Sequence, residues 1–302
     1  EILIERLPGE HGAEALPEAA KRSLSGSIKI FFQKVVFGVL GRPFEYPILA
    51  AADVDESGGG EEVVYEKDIE AVRALVAGAR RILLLIHGVI GDTLELRRGM
   101  RRAKIGPERT PVDSRYDLVL TFDYENLNTP IEEVARALKR RLEAVGLGPD
   151  HGKDLTIVAH SMGGLVSRWF IEREGGNKVV RRLVMCGTPN GGSPWPSVHD
   201  LALSALAIGL NGLSVLTWPA AVAGGLAAAI ERVDVNLDQM QPGSPFLKEL
   251  TRSPDPAVPY VMLSGDTSLA PAALVVDRNG LSPVGRLLAR VQRLKAEGRA
   301  AE

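Results

Sequence analysis

Residues 154–164 read DLTIVAHSMGG, and they leave the chain little choice of fold. Leu155, Thr156, Ile157 and Val158 form an apolar, β-branched run of the length of a buried parallel strand. The run stops at Ala159-His160-Ser161-Met162-Gly163, and Gly164 to Phe170 then takes up helical spacing. A serine at so sharp a strand-to-helix turn has its Oγ lifted clear of the sheet, and small residues two before and two after it let strand and helix pass closely. Ala159 meets that steric need where a glycine is more usual. The plain alternative is a serine capping a helix after any strand. Ser161 is therefore a candidate nucleophile that needs support from elsewhere in the chain.

Elements of matching type flank this stretch. Tyr46 to Val54 and Glu61 to Tyr65 enclose a Ser-Gly-Gly-Gly segment, which predicts a β-hairpin, and Asp68 to Arg80 has the spacing of an amphipathic helix. Ile82 to Ile86, Leu118 to Phe122, Val180 to Cys186 and Val258 to Ser264 read as further strands, with a helix from Pro130 to Val145. Strands alternating with helices predict an α/β fold: a mostly parallel sheet with helices on both faces. Residues 1–27 lack sustained periodicity and read as a linker or peripheral segment, leaving residues 28–302 as one domain. Ile28 to Leu40 is apolar and reads as a helix or edge strand packed on that domain. Val284 to Leu294 has helical spacing.

Leu201 to Ile230 contains no charged residue and is long enough on paper to span a bilayer. Asn211-Gly212 and Trp218-Pro219 break it, and it interrupts a single sheet. A helical cap inserted over residues 193–250 fits better than a membrane span. Arg97, Arg98, Arg101, Arg102 and Lys104 read as a solvated helix face, with contact to a phosphate headgroup as the alternative.

Composition narrows the partners. A net charge of −2 argues against nucleic acid. The one cysteine, Cys186, excludes an intrachain disulfide and sits in an apolar run as a core residue. No metal-ligand spacing appears among the five histidines, and no cofactor is expected. The chain opens at Glu1 without a methionine or a leader and reads as a piece of a longer protein. With no leader and one cysteine, a cytoplasmic location is favoured.

Acyl transfer needs donors aimed at an oxyanion, which backbone amides supply without any special side chain. One is the amide after the nucleophile, Met162. The loop His87-Gly88-Val89, after the first central strand, offers the second through Val89, with Gly88 permitting the tight turn. With LLLIHGVIGD (83–92), VAHSMGGLVSRWF (158–170), GTPNGGSPW (187–195) and MQPGSPFLKEL (240–250) in this order, the chain resembles the α/β-hydrolase superfamily in its lipase-like branch. It is also similar to hydrolase domains found within larger bacterial proteins.

The resemblance implies Ser161 as nucleophile, Val89 and Met162 as oxyanion-hole amides, and His87, Gly88, Thr188 and Asn190 at the substrate site. It implies cleavage of carboxylic esters through an acyl-serine, on a lipid or other acyl-ester substrate, with peripheral membrane contact a further expectation. An acyltransferase on the same site and a non-catalytic interaction module are the rival readings. The superfamily order places an acid and then a histidine after the serine. Asp266 is the nearest acid, ahead of Asp277, although a turn aspartate explains Asp266 as simply. No histidine follows His199, which falls in the cap. His160 is expected to pack behind the turn, and His11 and His151 to lie in loops. The resemblance thus implies that the last strand and the catalytic histidine lie beyond Glu302, and that these 302 residues alone turn over esters slowly.

Overall fold

The structure is a computed structural model and describes residues 30, 34, 45–56, 61–89, 92–126, 129–193 and 238–264. Residues 1–27, most of the 28–40 segment, the cap residues 194–237 with His199, and Asp266, Asp277 and the 284–294 segment lie outside the described residues.

The predicted hairpin forms from β1 (Ile48–Asp55) and β2 (Glu62–Glu66), paired antiparallel. Helix α1 (Ile69–Gly78) follows, its first turn closed by Asp68, whose carboxylate accepts from the Ala71 amide. Then come β3 (Arg81–Ile86), α2 (Leu94–Arg102), a two-residue pair β4 (Lys104–Ile105) and β5 (Thr110–Pro111), β6 (Leu118–Asp123), α3 (Ile131–Ala144), β7 (Asp154–His160), α4 (Met162–Arg173), β8 (Arg182–Cys186), α5 (Pro245–Thr251) and β9 (Tyr260–Leu263).

Seven of these strands form one sheet in the order β2-β1-β6-β3-β7-β8-β9, and all the pairings from β6 to β9 are parallel. From β3 the chain moves outward to β6, then crosses back to lay β7 on the other side of β3. Such a reversal opens a crevice outside the carboxyl ends of the strands, where open α/β sheets bind ligands.

Both faces are covered. Along β3, Ile82, Leu84 and Ile86 point to a large core with α1, α3 and α4, while Leu83 and Leu85 point to a smaller one closed by Leu96 and Met100 of α2. Strands buried on both faces carry near-continuous apolar runs, so the lack of polar alternation in 82–86 follows from their position.

Two expectations are corrected. The 240–250 end of the expected cap packs one face into the core: Met240, Phe246, Leu247 and Leu250 are buried in the large cluster, and Phe246 stacks on Trp169 of α4 at 5.3 Å. Their apolar spacing is that of a short helix returning the chain to β9, with Ser244 capping it through the Leu247 amide. The basic helix face is only partly solvated: Arg102 and Lys104 are exposed, Arg98 and Arg101 are half-buried, and Arg97 is buried. Arg97 is 2% exposed, bonds Asp113 at 2.8 Å and donates to the Ala52 carbonyl. Arg98 bonds Glu95 and the Glu61 carbonyl, Arg101 bonds Glu56 and Arg102 bonds Glu61. For Arg97, Arg101 and Arg102 the acidic partners lie 16 to 45 residues away in sequence, where helical spacing could not name them; Arg98 pairs with Glu95 one turn back on its own helix.

Candidate active site at the carboxyl edge

Strand β7 delivers Ser161 to the carboxyl edge of the sheet, one residue beyond its last ladder partner, with the Ser161 amide donating to the Cys186 carbonyl at 2.9 Å. The residue stands at φ 51° and ψ −125°, a conformation that L-residues avoid and that costs on the order of 1–3 kcal/mol. It occupies the N-cap of α4, yet its side chain makes no capping hydrogen bond. A serine at that position normally uses its oxygen on the first-turn amides. Here the strain turns Oγ away from them.

The neighbours explain how the turn is packed. A Cβ on Gly163 would run into the carbonyls of His87 and Ile86, the latter at 2.8 Å, so that residue must be glycine for α4 to cross the end of β3. A Cβ on Gly88 would stand 2.7 Å from Ser161 Cβ and 3.0 Å from the His160 carbonyl. The His87–Val89 loop and the serine turn therefore meet in close contact.

That loop is gripped from β6. Tyr124 donates its hydroxyl to the His87 carbonyl at 2.8 Å and its amide to His87 Nε2 at 3.1 Å, and the two rings stack at 4.2 Å. With Nε2 accepting, the proton belongs on Nδ1, which lies 2.8 Å from the Gly88 carbonyl. His87 is 1% exposed with both ring nitrogens committed, so it builds the loop and offers no surface to a substrate. Asp123 fixes the far side of the loop, accepting from the Thr93 amide at 2.9 Å and its hydroxyl at 2.7 Å. Burial first and the neighbouring Asp123 second raise the pKa of Asp92 beside it.

His160 corrects another expectation. It does not pack behind the turn; it is exposed, with Nδ1 on the Gly88 side. Protein atoms crowding its ring, and then the nearby His87, hold its imidazole below the ordinary histidine range. His151 lies before β7 at the opposite edge, bonded to the Val179 carbonyl and the Lys153 amide. Ser161 Oγ has no hydrogen-bond partner among the described residues.

Thr188 and Asn190 follow β8 and border the turn from the other side. The Thr188 side chain fills the space beside Gly164, with its methyl carbon 2.7 Å from where a Cβ would stand. The Asn190 amide is spent on structure. Its oxygen accepts from Arg168 at 3.0 Å, and Arg168 continues to Glu172 and Tyr260. Val89 and Met162 are buried at 4% and 0%, and no backbone or other bond occupies the Val89 amide among the described residues. Among the described residues, no three His, Cys, Asp or Glu side chains stand together as metal ligands.

A mostly parallel sheet reversing at β3, with a strained serine at the strand-to-helix turn on its carboxyl edge, defines the α/β-hydrolase-like fold class. The chain belongs to the family described as Domain of unknown function (DUF7379), which matches residues 59–280.

Comparison with curated proteins finds no match. Among solved structures, the chain is similar to the lipase BlEst2 of Bacillus licheniformis in its mature form, at 18% identity and a TM-score of 0.41, over 62% of this chain and 66% of that one. The propeptide form of the same lipase matches at 18% identity and a TM-score of 0.43, over 72% and 39%. Phospholipase PlaB of Legionella pneumophila matches at 18% identity and a TM-score of 0.37, over 61% and 39%. The chain thus covers less than two thirds of each of these proteins.

Proposed function

We propose that the protein is a serine carboxylic-ester hydrolase in which Ser161 Oγ attacks the acyl carbonyl. In this reading the Val89 and Met162 amides take the developing oxyanion, the alcohol departs with a proton, and water cleaves the acyl-serine. The observation that carries it is the state of Ser161: a strained residue at a helix N-cap whose hydroxyl is left out of the cap. Strain of this kind is retained where the surroundings enforce it, and it clusters at functional sites. The uncharged stretch 201–230 favours a lipid or other acyl-ester substrate over a polar one.

In this reading the base lies outside the described residues: His87 and His151 are committed elsewhere, and His160, adjoining Ser161 on the backbone, has its Nδ1 on the Gly88 side. Asp266 remains the proposed acid. The test is hydrolysis of an activated acyl ester by the wild type and by its Ser161→Ala and His199→Ala forms. Loss in Ser161→Ala alone supports the nucleophile, and loss in both places the base at His199. Turnover unchanged in Ser161→Ala would refute the reading and favour a non-catalytic module.

A further inference from the structure

Gly88 poses a problem that its neighbours solve. Contact with Ser161 forces a glycine at this position, since any Cβ would meet Ser161 Cβ at 2.7 Å. A glycine, however, leaves the following peptide nearly free to turn over. If the Gly88–Val89 peptide did so, its carbonyl oxygen would replace the Val89 N–H, and a lone pair would face the forming oxyanion.

Three successive carbonyls of this loop are held on one side. The His87 oxygen accepts from Tyr124, the Gly88 oxygen accepts from His87 Nδ1 and from Asn126 Nδ2 at 3.1 Å, and the Val89 oxygen accepts from Asn126 Nδ2 at 2.9 Å. In a trans peptide the N–H points opposite to the C=O. Holding the Gly88 oxygen toward Asn126 therefore turns the Val89 N–H away from it, and that N–H has no partner among the described residues. Asn126 is fully buried, so its amide does not trade these carbonyls for water.

We propose that Asn126 is a positioning residue that fixes the Gly88–Val89 peptide so that the Val89 amide faces the acyl oxygen. The inference rests on the serine-hydrolase reading above. A side chain that merely fills space would affect folding and leave the chemical step alone. Removing an oxyanion donor outright costs about 10²–10³-fold in kcat, so loss of its alignment in Asn126→Ala is expected to lower kcat by about 10- to 100-fold, with KM within about twofold. Asn126→Asp keeps the size but sets an acceptor against two carbonyls, and it is expected to fall further. It also carries the test if Asn126→Ala does not fold.

Kinetics of both variants on an activated ester, with thermal unfolding as a control, decide the matter. A folded variant with wild-type kcat overturns the proposal. If the wild type itself shows no Ser161-dependent turnover, the kinetics bear on the hydrolase reading and its expected histidine and not on the clamp. Crystal structures of the variants then judge the clamp: a turned Gly88 carbonyl supports it, and an unmoved one overturns it.

Discussion

At the scale of single residues, the site is built from groups held in states they would not choose alone. Ser161 accepts an unfavourable backbone, and Asp92 is a carboxylate in a place that disfavours its charge. Burial and Asp123 raise its pKa, and the Leu94 amide and His87 only partly offset them. An acid whose folded pKa lies above its unfolded value binds its proton more tightly in the fold, so it adds stability in acid and loses that contribution as pH rises through the folded value. Asp92→Asn keeps an acceptor for the Leu94 amide and removes the charge. The variant is expected to melt above the wild type at pH 7, with the gap closing as the pH falls toward the ordinary aspartate range. Thermal unfolding across pH checks this, and a gap that widens in acid would contradict it.

At the scale of elements, helix α4 is placed by glycines whose missing side chains let other elements in. Gly163 admits the end of β3, and Gly164 admits Thr188 from the loop after β8. A methyl at 164 would overlap the Thr188 hydroxyl and stand 2.8 Å from its Cβ, so something must move. Gly164→Ala is expected to destabilise by about 1–3 kcal/mol, the usual penalty of overpacking. Adding Thr188→Ala removes the overlapping hydroxyl and the methyl, leaving only the Cβ contact, and should recover part of that loss, as contacting residues are coupled. Denaturant unfolding of the two single variants and the double variant measures the coupling. Additive losses would mean that the two do not share the space.

At the scale of the molecule, the sheet is a platform held from both faces, and α2 is the helix that covers the smaller core. Leu96 and Met100 seat it on the strands, and Arg97, four residues before Arg101, reaches Asp113 and the Ala52 carbonyl. The Arg97 and Asp113 side chains are each 3% exposed, and removing Arg97 leaves the buried Asp113 carboxylate with only the longer 3.5 Å contact to Arg101. Arg97→Met is therefore expected to cost about 3–5 kcal/mol, measured by urea unfolding. Replacing both members with apolar residues is expected to restore most of the loss. If the double variant were as unstable as Arg97→Met, the ion pair itself would be the stabilising interaction.

The sequence by itself determined the type and order of most elements, because strand and helix periodicity record which faces each segment buries. It also determined the serine turn and the loop across from it, since a strained turn and a close backbone approach admit few residue types. It named Ser161, Gly88, Val89 and Met162. The tertiary structure alone decided the strand order, which puts β3 between β6 and β7 and so brings Gly88 against Ser161. It decided that Arg97 is buried, that residues 245–251 pack one face into the core, and that His87 and Asn190 serve the scaffold. Asn126 carries no local signal at all. Its partner carbonyls are 37 and 38 residues away, and such a bond is specified by how β6 and β3 lie side by side. Periodicity is a property of neighbours along the chain, whereas a clamp is a property of neighbours in space, and only folding makes the second kind.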